Sequence, residues 1–237
     1  MKCLLIFLTI LLGSSQVQAA CPLPDARIAL HEFPPFYFKA SDGSAQGKLV
    51  QLITQVMTRL GCQWSSEFLP VPRLLANISN GSSDIAMIIR HPQLENRAYY
   101  GNVPVGELVL KLFHQPDQAP ISDLTAIPKG SRVIVRRGYG FSGLINHLLR
   151  PESGLQLVLA ESHQQAVEQL RDRQGEYLLN YDGPTTELLE RNGMYHITGE
   201  QVATWPIYLL LSGRINDGQS LISQLDATAQ AILAETQ

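Results

Sequence analysis

RIALHEFPPFYFKASDGSAQGKLVQLITQVMTRLG, residues 27–61, is the stretch from which the fold can be read. Ile28 and Leu30 mark a short buried strand over Ala26 to His31, and Pro34-Pro35 ends it because proline has no N–H to give to a ladder. A turn follows at Asp42-Gly43. Leu49, Leu52, Ile53, Val56, Met57 and Leu60 then fall on one face of a helix from about Lys48 to Leu60, and Gly61 supplies its C-terminal stop. The loop Glu32-Phe33-Pro34-Pro35-Phe36, where the chain leaves the strand, is one half of an expected ligand cleft.

Working outward, Met1 to Ala19 combines Lys2, the apolar run Cys3 to Leu12 and a small polar end, the pattern of a cleaved signal peptide over residues 1–19. The apolar run is about half of the ~20 residues needed to span a bilayer. Export to the periplasm is therefore expected. Gln18-Ala19-Ala20-Cys21 could also be processed as a lipoprotein site, but such sites carry an apolar residue where Gln18 stands, so lipidation at Cys21 is the less favoured reading.

Cleavage leaves Cys21 and Cys62, an even pair in an oxidising compartment and hence a disulfide. Each lies just before a strand, and parallel neighbours begin at the same sheet edge. A bridge there closes a loop of about forty residues, on the order of 3 to 4 kcal/mol in the chain-entropy model. The six histidines are scattered singly, so neither a metal nor an organic cofactor is expected. Net charge −3, without a long basic run, argues against a nucleic-acid partner.

After the first helix, Gln63 to Leu69 reads as a strand, Pro72 begins a short helix that Asn80-Gly81 closes, and Ile85 to Ile89 is a strand buried on both faces. Alternating strands and helices specify α/β lobes with parallel sheets and helices on both faces. Val103 to Phe113 is extended, and the polar break Gln115 to Pro120 marks a boundary. A second alternating section follows: strands over Arg132 to Val135, Leu155 to Leu159 and Tyr177 to Asn180, and helices over Ser142 to Leu149, from a Ser162 cap through Arg171, and from Pro184 through Arg191. Trp205 to Ser212 is strand-like, and the last helix, Gln219 to Ala234, is expected to pack back on the first lobe. Lobe 1 is thus residues 20–109 and 204–237, with lobe 2, residues 110–203, inserted through a two-strand hinge.

The order of PPFYF, the segment RLLANISNGSSD from Arg73 to Asp84, the RRGYG turn and the YDGP turn resembles the type 2 periplasmic solute-binding proteins over essentially the whole mature chain. The resemblance implies a monomeric receptor that closes on a small polar solute, amino-acid-like or an organic anion, and hands it to an ABC-transporter permease. It implies that Phe33 packs on the ligand, that Glu32 meets a donor, and that Arg97 clamps a carboxylate, with Arg90 a rival for that role. Arg136 and the turn through Gly140 would face the ligand from lobe 2, Asp182 would receive its ammonium, and Arg73 would stand near the cleft mouth. An aromatic face beside a carboxylate suits a cationic or hydroxylated ligand. The chain carries no G-x-S-x-G and no expected free thiol, so a binding protein is expected and not an enzyme. The alternatives are a dehydratase-like enzyme acting on small acids with Glu32 and Asp182, and a ligand sensor.

Overall fold

The computed structural model describes residues 21–235, and the expected signal peptide lies outside them. In chain order the first half contains β1 (Ala26–Leu30), the hairpin β2 (Phe38–Lys39) and β3 (Ala45–Gln46), α1 (Lys48–Arg59), β4 (Trp64–Phe68), α2 (Val71–Asn80), β5 (Ile85–Ile88) and the long β6 (Ala98–His114). The second half contains β7 (Arg132–Arg136), α3 (Ile145–Leu149), β8 (Gln156–Ala160), α4 (His163–Arg171), β9 (Tyr177–Tyr181), α5 (Asp182–Arg191), the long β10 (Thr198–Ser212) and α6 (Gly218–Glu235).

Eight of the strands form one sheet in the order β4-β1-β5-β10-β6-β9-β7-β8. The expected parallel sheets form the outer three strands of each lobe, and two antiparallel crossing strands complete a mixed sheet between them. β4, β1 and β5 run parallel, as do β8, β7 and β9, but β10 is antiparallel to β5 and β6, and β6 is antiparallel to β9. The physical reason is that β6 and β10 are 17 and 15 residues long and each crosses between the two halves, completing the sheet at both ends.

Period-two alternation sorts the side chains onto two faces. Ile28, Leu30, Ile85 and Met87 enter one core with α1 and α6, while Ala29 and Ala86 enter a second with Leu74, Leu75 and Ile78 of α2. In the other half Val133, Val135, Tyr177 and Leu179 enter one core, and Ile134 and Leu178 enter another with Ala166, Val167 and Leu170 of α4. On β6 the change of partner falls between Leu108, packed with the first half, and Leu110, packed with the second. On β10 it falls between Trp205 and Ile207. Register shifts at Ile207, Tyr208 and Leu210 mark the same crossing.

Cys21 and Cys62 are disulfide-bonded, with Cα atoms 5.0 Å apart and a sequence separation of 41. The bridge lies where β1 and β4 begin, since Ala26 pairs with Trp64. One expected helix is cut short. Phe141 and Ser142 have positive φ values of 46° and 52°, so the segment from Ser142 yields a turn of 3-10 helix and then only the five residues of α3.

The aromatic loop is fixed by the helix that follows it. The N–H groups of Lys48 and Leu49, at the start of α1, donate to the carbonyls of Pro35 (3.1 Å) and Phe36 (3.2 Å). A helix start has N–H groups without intrahelical partners, and the loop supplies the acceptors. Gly47 makes the approach possible: its φ is 124°, and a Cβ there would lie 2.2 Å from the Phe36 oxygen. Gly47→Ala should therefore lower unfolding stability by about 2–3 kcal/mol or more, measured by urea denaturation. A loss under about 0.5 kcal/mol, the range of ordinary surface substitutions, would show that the loop is not held this way.

Candidate ligand-binding site

In open α/β sheets, ligands gather at the carboxyl ends of the strands, and in both halves of this chain those ends face one another. From the first half comes the aromatic loop. Phe33 N donates to Tyr37 O (2.8 Å), Phe36 N and Tyr37 N donate back to Phe33 O, and the Tyr37 hydroxyl donates to Met87 O of β5 (2.7 Å). Phe33 is 5% exposed and stacks on Phe36 with ring centroids 6.0 Å apart.

The second half meets it with Tyr181, at the end of β9, and His163, at the start of α4; both rings lie edge-on to Phe33, at 5.5 and 6.1 Å. The backbone at Gly183 comes close to the same loop, where an added Cβ would lie 3.0 Å from Pro35 Cδ and 3.1 Å from Phe36 Cε2. Tyr139 and Phe141 extend the wall, each 5.5 Å from Tyr181. Phe33 thus closes over the ends of β7 and β9.

Arg136, the last residue of β7, supplies the charge. Its guanidinium lies 4.4 Å from the centre of the Tyr139 ring, donates through Nη1 to the Tyr139 hydroxyl, and stands 3.3 Å from His163 Nε2. The Tyr139 hydroxyl is also 3.2 Å from His163 Nε2. One arrangement links the three groups: Arg136 donates, Tyr139 accepts from it and donates onward, and His163 accepts at Nε2. Burial drives the His163 imidazole down to about 4, with the Arg136 charge acting in the same direction. Burial alone drives His31, packed on Tyr37 and Phe33, to about 4. Both rings are neutral at neutral pH. Burial also pulls Arg136 below the usual arginine range; among the described residues no carboxylate pairs with it, and its Nε is buried without a hydrogen-bond partner.

The predicted site residues separate into two groups. Phe33 and Arg136 come together as described. Asp182 follows Tyr181 directly, but its carboxylate is 3.0 Å from the ammonium of Lys111 on β6 and accepts from Thr186 Oγ1. Gly140 is exposed ahead of the short 3-10 turn, and a five-residue α3 offers little dipole for the expected anion site there. Glu32 is exposed beside the loop with no ion-pair partner among the described residues. Arg90, just past β5, lies over the rings of Tyr100 (5.0 Å) and Tyr208 (4.8 Å). Arg73 is exposed in the first turn of α2.

Arg97 is at the opposite edge. Its carbonyl accepts from Gly213 N, next to Ser212, whose own N–H donates to Asp84 O ahead of β5. Its guanidinium bonds to Ser79 near the end of α2, lining a groove of about 590 Å³ with Pro72, Leu75 and Glu95. Register thus puts Arg97, the expected carboxylate clamp, where the strands begin, away from Phe33 and Arg136.

Sequence reasoning missed Tyr139 as a site residue, along with His163, Tyr181 and Lys111. His163 was findable in principle, as the first helical residue after a strand's carboxyl end. Lys111 was not, because its partner is 71 residues away and only the β6–β9 register brings them together.

No protein-family model matches the chain, and no curated protein matches it in sequence. Solved structures do. A probable amino-acid ABC transporter extracellular-binding protein from Bacillus subtilis superposes with a TM-score of 0.73 at 16% identity, over 90% of this chain and 93% of that one. A histidine kinase sensor domain with similarity to periplasmic binding proteins gives 0.70 at 15% identity, over 90% and 91%. An ancestral arginine-binding protein bound to arginine gives 0.70 at 14% identity, over 90% and 94%. The chain has the two-lobed fold of the type 2 periplasmic binding proteins. In that fold the facing edges described above are the facing edges of the two lobes.

The buried histidines make stability depend on pH. His31 and His163 titrate near 6.5 when exposed and near 4 when folded, so the unfolded chain takes up protons first as pH falls. Their contribution is complete above about pH 6.5 and is lost progressively down to about pH 4. The melting temperature should drop across that window, and His163→Gln should flatten the drop. A wild-type melting temperature constant between pH 7 and 5 would count against neutral burial.

Proposed function

We propose that this chain is a solute-binding protein that captures a small polar solute, an organic anion or an amino-acid-like molecule, between lobe 1 (20–109 and 204–237) and lobe 2 (110–203). The observation that carries this reading is Arg136: a half-buried cation held by Tyr139 and His163, the latter in contact with Phe33 of the other half, with no carboxylate beside it among the described residues. A charge taken partly out of water gains from a partner, and a ligand anion is the partner that the described residues do not provide. The β6–β10 pair is the hinge in this reading, with movement at the register shifts around Ile207 and Tyr208. Likeness to binding proteins for amino acids and for ABC transporters supports solute capture, with a permease as the receiving partner and the periplasm as the location. The site is read as binding and not turnover, since His163 is engaged by Arg136 and Tyr139 and has no carboxylate to orient it as a base.

A panel of amino acids, amines and organic acids should contain solutes that raise the melting temperature of the mature protein. Arg136→Met should abolish the rise while circular dichroism stays native, and Arg97→Met should leave it intact. If no solute in a broad panel shifts the transition, the receptor reading fails.

A further inference from the structure

Three charged side chains decide which solute the site can take. Asp182 is the carboxylate that could hold an ammonium group, yet it is already paired with Lys111 at 3.0 Å and bonded to Thr186. Arg136 uses Nη1 for Tyr139 and the edge of His163, while Nε and Nη2 make no hydrogen bond. The Nε–Nη2 edge of a guanidinium is a planar fork that matches the two oxygens of a carboxylate. Glu32, the other acidic group of the loop, is exposed. The guanidinium lies over the Tyr139 ring, which in turn packs on Tyr181, itself edge-on to Phe33, and this linked aromatic surface favours a flat apolar body.

We propose that the solute is a carboxylate with a planar, apolar body and no ammonium group. This inference rests on the receptor reading and narrows it: one cation without a carboxylate partner among the described residues, one carboxylate already paired with Lys111, and linked aromatic rings from both halves. A zwitterion would have to take Asp182 away from Lys111, leaving that ammonium without its partner. A simple carboxylate meets no such competition.

Three probes share one phenyl body and differ in charge: phenylacetate, L-phenylalanine and 2-phenylethylamine. Calorimetry and melting shifts on the mature protein should show phenylacetate binding at least about tenfold tighter than L-phenylalanine, a difference of about 1.4 kcal/mol, with no binding of the amine. Lys111→Met releases Asp182 and should move the preference toward L-phenylalanine by about tenfold. Lys111→Gln serves the same purpose should the methionine variant fail to fold. If L-phenylalanine binds as tightly as phenylacetate, or if only ammonium-bearing or non-aromatic solutes of the wider panel bind, this inference is overturned and the receptor reading stands. Silence across the whole panel overturns both.

Discussion

The two hydrogen bonds from the start of α1 to the carbonyls of Pro35 and Phe36 hold the first half of the site in place. A loop with two prolines has few N–H groups with which to bind itself, so its position depends on donors from elsewhere. α1 supplies them from its unpaired first turn, and Gly47 lets the two backbones touch. Each bond is worth on the order of 1 kcal/mol net, but together with the Tyr37–Met87 bond they leave Phe33 one place to be. The Cys21–Cys62 bridge secures the other edge of the same unit, where β1 and β4 begin.

Charge is handled differently at the two edges of the sheet. At the starting edges the halves use the same device: Arg27, in β1, pairs with Asp84 ahead of β5, and Arg132, opening β7, pairs with Glu176 ahead of β9. In both pairs the carboxylate also accepts the arginine's own backbone N–H, and the guanidinium bonds to a nearby carbonyl, Gly81 O or Arg173 O. Such pairs are partly exposed and fix the geometry of the strands more than they add to stability. At the ending edge of β7 the arginine has no carboxylate. The same chain that matches Arg27 and Arg132 with acids leaves Arg136 with a phenol and a neutral imidazole; Arg73 and Arg97 also lack an acid among the described residues, but both are exposed and away from the facing edges, so the proposed site centres on Arg136.

Much of the fold was legible in residues 27–61 and in the alternation after it, because strand and helix periods are local properties. Ile28, Leu30 and the α1 face were enough to orient the first unit, and the two cysteines followed from where parallel strands begin. Three features were not local. β6 and β10 extend beyond their apolar runs because pairing with each other holds Ala98–Asn102 and Thr198–Thr204 in the ladder. The RRGYG turn looked like the start of a helix, but positive φ at Phe141 and Ser142 uses those residues to turn the chain, burying Phe141 against Tyr139 and Tyr181. Arg97 was placed by counting from β5. The chain between them doubles back, and only the pairing of Ala98 with Ser212 reveals that it returns to the starting edge.

The contacts of Phe33 with Tyr181 and His163 cross from the first half of the chain to the second. Apolar surface is thereby removed from water, which favours the joined arrangement, while Arg136, half-buried beside Tyr139 and His163, faces no carboxylate among the described residues. If the protein is the receptor proposed above, an anion that meets Arg136 between the lobes favours the joined state over the separated one. That difference in affinity is what a ligand needs in order to shift a conformational equilibrium. On that reading the aromatic rings bring the lobes within reach of each other, and the guanidinium without a carboxylate lets an anion between them tip the balance.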